Sequence, residues 1–401
     1  MNFKISACLF ASIFLIVSAL NAQTVRSIGD LQLNTITTAV PVLMVAPDTR
    51  AGGMGEAGVA TSADANSMHW NASKYAFAER KGGMAISYTP WLRQLVPDIN
   101  LAYLSGFLKV GNGQTIAGSL RYFNLGNIIF TDINGNTTGQ FKPAEFALDV
   151  AYARKLSDNF SGGLALRYIY SNLTGGQYAG GENYRAGQSV AADISALYRK
   201  ADLEMGDKKT ALNIGINISN IGAKISYNSS GKKDFLPTNL RLGTALDINL
   251  DQYNKLTIAF DMNKLLVPTA GYYEFDSVQN KKVFVGKIPD GSIASGVFNS
   301  FSDAPGGAKE EFKEINFAGG LEYWYDNVFA IRTGYFWESQ YKGNRKFLTL
   351  GFGLKYNVFH LDGAYLIPQS RQNSPLNNTF RFTLAFDFDK ATGSKKKAVN
   401  D

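Results

Sequence analysis

Cysteine is almost missing from this chain. The one residue, Cys8, lies in an N-terminal apolar segment. A mature chain without it can use neither a disulfide framework nor a thiol nucleophile. Histidine is nearly as scarce. His69 and His360 stand far apart, and neither has the neighbours a zinc site requires. No apolar run of spanning length follows about Leu20, so no transmembrane helix is expected; a transmembrane barrel would leave no such run either. No charge block interrupts the interior. The net charge of +7 is modest and spread out, and part of it is Lys4 and Lys395–Lys397. Nucleic acid is therefore not an expected partner. The run Gly52-Gly53-Met54-Gly55 is followed by no P-loop lysine and serine or threonine, which removes nucleotide binding. Asp276, Asp303, Glu310 and Glu311 form no calcium-ligand ladder. No cofactor or metal is expected.

What is present points outward. "MNFKISACLFASIFLIVSALNA" has Lys4, an apolar core from about Ile5 to Leu20 and a small exit residue, Ala22. This is the layout of a secretory signal peptide over residues 1–22, with the mature chain starting near Gln23. No apolar core precedes Cys8, so lipidation is rejected. Aromatic content is 13%, with 20 Tyr and 27 Phe. Tyrosine at that frequency suits a membrane–water interface.

Residues 82–388 read as alternating strands. In the last, Phe380, Phe382, Leu384, Phe386 and Phe388 alternate with Arg381, Thr383, Ala385 and Asp387. A soluble sandwich edge and a barrel wall both allow such a segment. About fourteen segments of this kind can be counted, an even number as single-chain bacterial barrels require. They run from Gly82–Thr89 to Thr379–Phe388. Short links follow the even-numbered strands, with Lys200–Thr210 the longest of that set. Long links follow the odd-numbered ones, the longest from Asn263 to Glu314. A sandwich has no reason to keep that parity. The expected fold is all-β: an antiparallel transmembrane barrel of about fourteen strands, with short turns in the periplasm. Its last strand turns phenylalanines to lipid and Arg381 and Asp387 to the lumen. Residues 389–401 form a basic periplasmic tail.

Residues 23–81 do not alternate. They are rich in small residues, with glycines for close packing and Asp64, Asn66 and Asn71 suited to turns or caps. A compact plug with short helical pieces, inside or beneath the lumen, is the expected form; an ordinary periplasmic extension is the alternative. Arg50, Gly52, Gly53, Met54, Gly55, Asp64, Trp70 and Asn71 are its structural motif.

The stretch "DTRAGGMGEAGVATSADANSMHWNASKYAF" from Asp48 resembles the opening of the PorV (LptO) family of the type IX secretion system of the Bacteroidota. "YTPWLRQLVPDINLAYLSGF" from Tyr88 resembles the family's first outer turn and second strand. One departure is visible: Asn71-Ala72-Ser73 stands where members often carry Asn-Pro-Ala. The resemblance implies an outer-membrane barrel of the FadL-like kind, working in protein export. It implies association with the large translocon barrel SprA, and reception of secreted cargo through C-terminal signal domains. It further implies delivery of that cargo to a surface attachment complex.

The Asn263–Glu314 link is the candidate partner-binding outer loop, through Leu265, Leu266, Tyr272, Tyr273, Phe275, Phe284, Phe298 and Phe301. So many apolar groups require burial, either in a self-packed cap or against a partner. Two other functions compete. A FadL-like channel for hydrophobic small molecules needs an apolar tunnel ending at a gap in the wall. A lipid A deacylase needs a serine, such as Ser370 or Ser374, beside His360 and Asp362. The latter pair also reads as ordinary lumenal polar groups, and the expectation is that the chain is not an enzyme.

Overall fold

The computed structural model describes residues 34–91, 98–176, 178–179, 182–228, 233–276, 281–286, 291–369 and 379–390. The expected signal peptide and residues 391–401 of the expected basic tail lie outside them, while Asp389 and Lys390, expected in that tail, belong to the last strand. Fourteen strands close into one antiparallel barrel. They are β1 (Arg80–Pro90), β2 (Ile99–Gly111), β3 (Gln114–Leu125), β4 (Ala144–Lys155), β5 (Phe160–Asn172), β6 (Gly187–Met205) and β7 (Lys208–Gly222). Then come β8 (Asn239–Asn249), β9 (Asn254–Leu265), β10 (Ile315–Tyr325), β11 (Phe329–Trp337), β12 (Lys346–Tyr356), β13 (Phe359–Pro368) and β14 (Thr379–Lys390). Each strand pairs with its sequence neighbour, and β14 pairs with β1, with Ala85 opposite Ala385. Closure leaves no unpaired edge in the wall.

Alternation sorts the side chains. On β14, Phe380, Phe382, Leu384 and Phe388 are exposed on the outside, while Thr379, Arg381 and Thr383 are buried inside. The outside carries a band of such groups, among them Ile86, Leu148, Ile216, Phe260 and Leu350, as a lipid-facing surface requires. The inside differs from a simple polar lumen. Ala85, Ala147, Ala165, Ala245, Ala259, Ala318 and Ala330 are almost completely buried there. Small residues are needed because the lumen holds protein rather than water.

That protein is the N-terminal segment. It contains short helical pieces at Pro41–Met44, Thr49–Gly52, Ser67–Trp70 and Ala72–Phe77. It starts at the end of the barrel with the long loops, where Asn34 N donates to Tyr341 O and Ala39 N to Phe235 O. It leaves at the short-turn end and enters β1 at Arg80. By the rule for bacterial barrels, the short-turn end is periplasmic.

Two expectations about the connections change. Lys200–Thr210 is not a loose link: β6 and β7 continue through it to a two-residue turn at Gly206 and Asp207, with a register shift between Lys200 and Leu203. Cross-strand pairing extends past the wall because backbone bonding does not depend on alternation of side chains. The Asn263–Glu314 loop is not featureless either. It holds a hairpin, Tyr272–Asp276 with Lys281–Val285, and helices Ile293–Asn299 and Ala308–Lys313.

Candidate functional site: plug and outer loop

The plug is fixed to the wall by charge, by short hydrogen bonds and by direct backbone contact. Arg50 Nε and Nη2 donate to the two oxygens of Glu322 on β10, at 2.9 and 2.7 Å. Its Nη1 donates to Asp64 at 2.9 Å, so two motif residues meet. Glu322 also accepts from Arg332 Nε on β11 at 2.7 Å, and Arg332 Nη1 reaches Asp362 on β13 at 2.6 Å. Charged groups so deeply buried are tolerable only in such a paired chain. Near the centre, Thr49 Oγ1 and Thr383 Oγ1 lie 2.7 Å apart.

The glycines of the motif lie where the backbone touches the wall. Gly55 has φ 68°, and a Cβ there would sit 2.5 Å from Tyr335 N. Across from it Gly334 is equally bare, and a Cβ on it would enter the Met54–Gly55 peptide. Met54 itself is fully buried. Gly52 and Gly53 lie against Arg381 and Gly351. Trp70 Nε1 donates to Asp48 at 2.6 Å, and its indole covers Gly58. Asn71 donates to Val59 O and Ala196 O, both at 3.1 Å, and accepts from Ser73 N at 3.0 Å. It thereby caps the Ala72–Phe77 turn and ties it to β6.

His69 is no metal ligand. Its Nδ1 lies 2.8 Å from Arg121 Nη2, and Arg241 Nη1 donates to its carbonyl at 2.8 Å. A protonated imidazole would add a third buried cation, so the ring is neutral and accepts at Nδ1. Among the described residues no three metal-ligating side chains converge.

His360 and Asp362 do not act together. His360 Nε2 lies 2.9 Å from Asp387, while Asp362 is taken by Arg332. Strand register decides this, since Asp387 comes from the neighbouring β14. Ser370 and Ser374 lie outside the described residues.

The outer loop divides. Leu265 ends β9 and is half-buried, and Leu266 is buried with Val267. Tyr272 is half-buried, and Tyr273 packs edge-on against Phe284 at 5.3 Å. Phe275 is on the hairpin, but its side chain falls outside the described set. Phe298 and Phe301 are 76% and 51% exposed. Phe312, not among the sequence candidates, is 72% exposed. Its helix is only Ala308–Lys313, too short to give a periodic signal. The loop is held by lysines. Lys264 Nζ donates to Glu311 and Glu314 at 2.9 and 2.6 Å, and Lys342 Nζ to Glu310 and Glu314 at 2.6 and 3.0 Å. Asn34 Nδ2 adds a bond to Glu310 at 3.0 Å. Burial, with Glu311 and Glu314 alongside, pushes the Asp303 carboxyl up to about 6.

A sequence profile described as "Type IX secretion system protein PorV" matches residues 29–272, more than half of the chain. The chain belongs to the PorV family. It is thus an outer-membrane β-barrel of the type IX secretion system. No curated protein matches it. Among solved structures, a deltaS2S3 mutant of the TodX monoaromatic hydrocarbon channel is similar, with TM-score 0.50 and 10% identity over 85% of this chain and 99% of that one. The Ralstonia pickettii toluene transporter TbuX aligns at TM-score 0.48 and 9% identity, over 85% and 98%. A Pseudomonas aeruginosa FadL homologue aligns at 0.42 and 11%, over 89% and 100%. At such identities the similarity concerns the fold alone.

Proposed function

We propose that this barrel binds the C-terminal signal domains of secreted cargo at the translocon, and then carries the cargo to the surface attachment complex. Membership of the PorV family supports the setting. The observation that carries the reading is the outer loop, which holds Phe298, Phe301 and Phe312 in water while Lys264 and Lys342 anchor its base. Exposed phenylalanines on an anchored platform favour a protein partner, because burying each ring gains roughly 2 kcal/mol. The large translocon barrel SprA and the cargo signal domain are the two expected partners.

The test is affinity purification of the tagged protein from mildly solubilised outer membranes, with its companions identified by mass spectrometry. Recovery of a very large barrel and of proteins bearing C-terminal signal domains is expected. The triple variant Phe298→Ser, Phe301→Ser, Phe312→Ser should lose at least one of them and still fold. Undiminished recovery of both by the variant would remove the loop from the reading. Recovery of the barrel alone with bound lipid would favour a channel.

The channel reading has that fold similarity behind it but less in the lumen. The plug packs against the inner wall, and the fourteen strand pairings continue around the barrel. An apolar recess of about 340 Å³ does occur, but Ile214, Ile216, Leu242 and Phe260 line it on the lipid side. A deacylase finds little support, since Asp387 holds His360 and is shared with two further cations.

A further inference from the structure

We propose that the periplasmic end of the lumen is a receptor for an acidic peptide segment. A cavity of about 370 Å³ lies beneath the plug. Asn327, in the β10–β11 turn, and the Glu79–Arg80 junction line it, so it opens at the short-turn end. Above it the plug closes the lumen.

Its charges are unevenly shared. At the roof, Arg50 and Arg332 are matched by Asp64, Glu322 and Asp362. At the mouth, Asp387 serves Arg80 Nε at 3.3 Å, Lys355 Nζ at 3.4 Å and His360 Nε2 at 2.9 Å, Glu79 is a second carboxylate in the lining, and Lys255 is paired with Asp247 at 3.7 Å. Arg199 also lines the cavity and has no carboxylate partner among the described residues. At the mouth, Arg80, Arg199 and Lys355 thus outnumber Asp387 and Glu79, and the low-dielectric walls of the opening focus that excess.

The spacing selects the ligand class. Arg199 is on β6 and Lys355 on β12, six strands apart in a ring of 14. They therefore stand on opposite walls. One phosphate or carboxylate cannot touch both. An extended segment, with carboxylates about 7 Å apart at alternate residues, can. Phe77, Phe107 and Trp324 line the same cavity and offer apolar contact to the segment's other side chains. This inference rests on the fold and not on the cargo-shuttling reading.

The test uses the full chain in detergent micelles with fluorescein-labelled hexaglutamate, read by anisotropy at low ionic strength. Saturable binding that weakens as salt is added is expected. Lys355→Gln and Arg199→Gln should each weaken it roughly threefold to fivefold. Lys208→Gln, on the projecting β6–β7 hairpin, should leave it unchanged. A second measurement does not need those variants to fold. Ala63→Cys, in a Cys8→Ser background, places a thiol in the cavity lining. It should form a disulfide with a hexaglutamate peptide carrying an activated thiopyridyl disulfide, releasing thiopyridone. Absence of saturable binding, equal loss in the Lys208 variant, displacement by equimolar inorganic phosphate, or failure of the cross-link would each overturn the proposal.

Discussion

Arg50 and Glu322 join the plug to the barrel wall through two parallel hydrogen bonds, of 2.9 and 2.7 Å. Glu322 is almost fully buried, at 1% exposure, and the Arg50 side chain is 14% exposed. Arg50→Ala would leave Asp64 without its direct ion-pair partner and Glu322 with Arg332 alone. Breaking one side of a buried pair costs about 3–5 kcal/mol. The expected result is a lower unfolding midpoint in denaturant, with faster protease cleavage of the plug than of the strands. An unchanged midpoint would mean that the clamp adds nothing to stability.

Gly334→Ala tests whether the plug must touch the wall backbone. The new methyl would enter the Met54–Gly55 peptide, and neither side has a flexible side chain to yield. Overpacking of this kind costs about 1–3 kcal/mol or more. The strands should still form, and proteolysis should find the plug displaced. Protection equal to that of the parent chain would show that the contact can relax.

Neighbours on β14 should respond in opposite ways. Phe382 faces lipid, so Phe382→Arg should destabilise the barrel by roughly 2–4 kcal/mol in bilayers if it lies near the midplane. Thr383 faces the lumen and contacts Thr49 Oγ1 and Ser87 Oγ at 2.7 and 2.8 Å. Thr383→Val should cost about 1 kcal/mol for those bonds, in detergent and bilayer alike. Folding titrations in both media distinguish the two cases.

The outer loop should hold more tightly in mild acid. Asp303 has its folded-state carboxyl raised from 3.8 to about 6, by burial first and then by Glu311 and Glu314. A raised acid opposes docking when ionised. Docking should therefore strengthen as pH falls from 7.5 through 6 towards 5. Hydrogen exchange of Ile293–Asn299 and Ala308–Lys313, corrected for intrinsic rates, should slow over that range. Asp303→Asn should be as protected at pH 7.5 as the parent is at 5. The same pH response in that variant would assign the effect elsewhere.

All fourteen strands were legible in the sequence because a barrel wall writes itself locally: one residue to lipid, the next to the lumen. Phe382 and Arg381 declare their faces without reference to anything distant. The parity of short and long links was legible by the same local logic. The glycine-rich stretch from Gly52 announced close packing, since a residue without a side chain has few other uses in such a run. The loop hairpin, Phe312 and the β6–β7 extension were not legible. Short elements carry too few residues for a period to show, and backbone pairing past the wall has no side-chain pattern.

What only the tertiary structure decided is which groups meet. That Arg50 would find Glu322, that His360 would take Asp387 instead of Asp362, and that Lys264 and Lys342 would occupy the loop carboxylates all depend on strand register and on the path of the plug. A charge in the sequence states a need for a partner or for water. Only the closed barrel, by removing the water, determines which partner answers it.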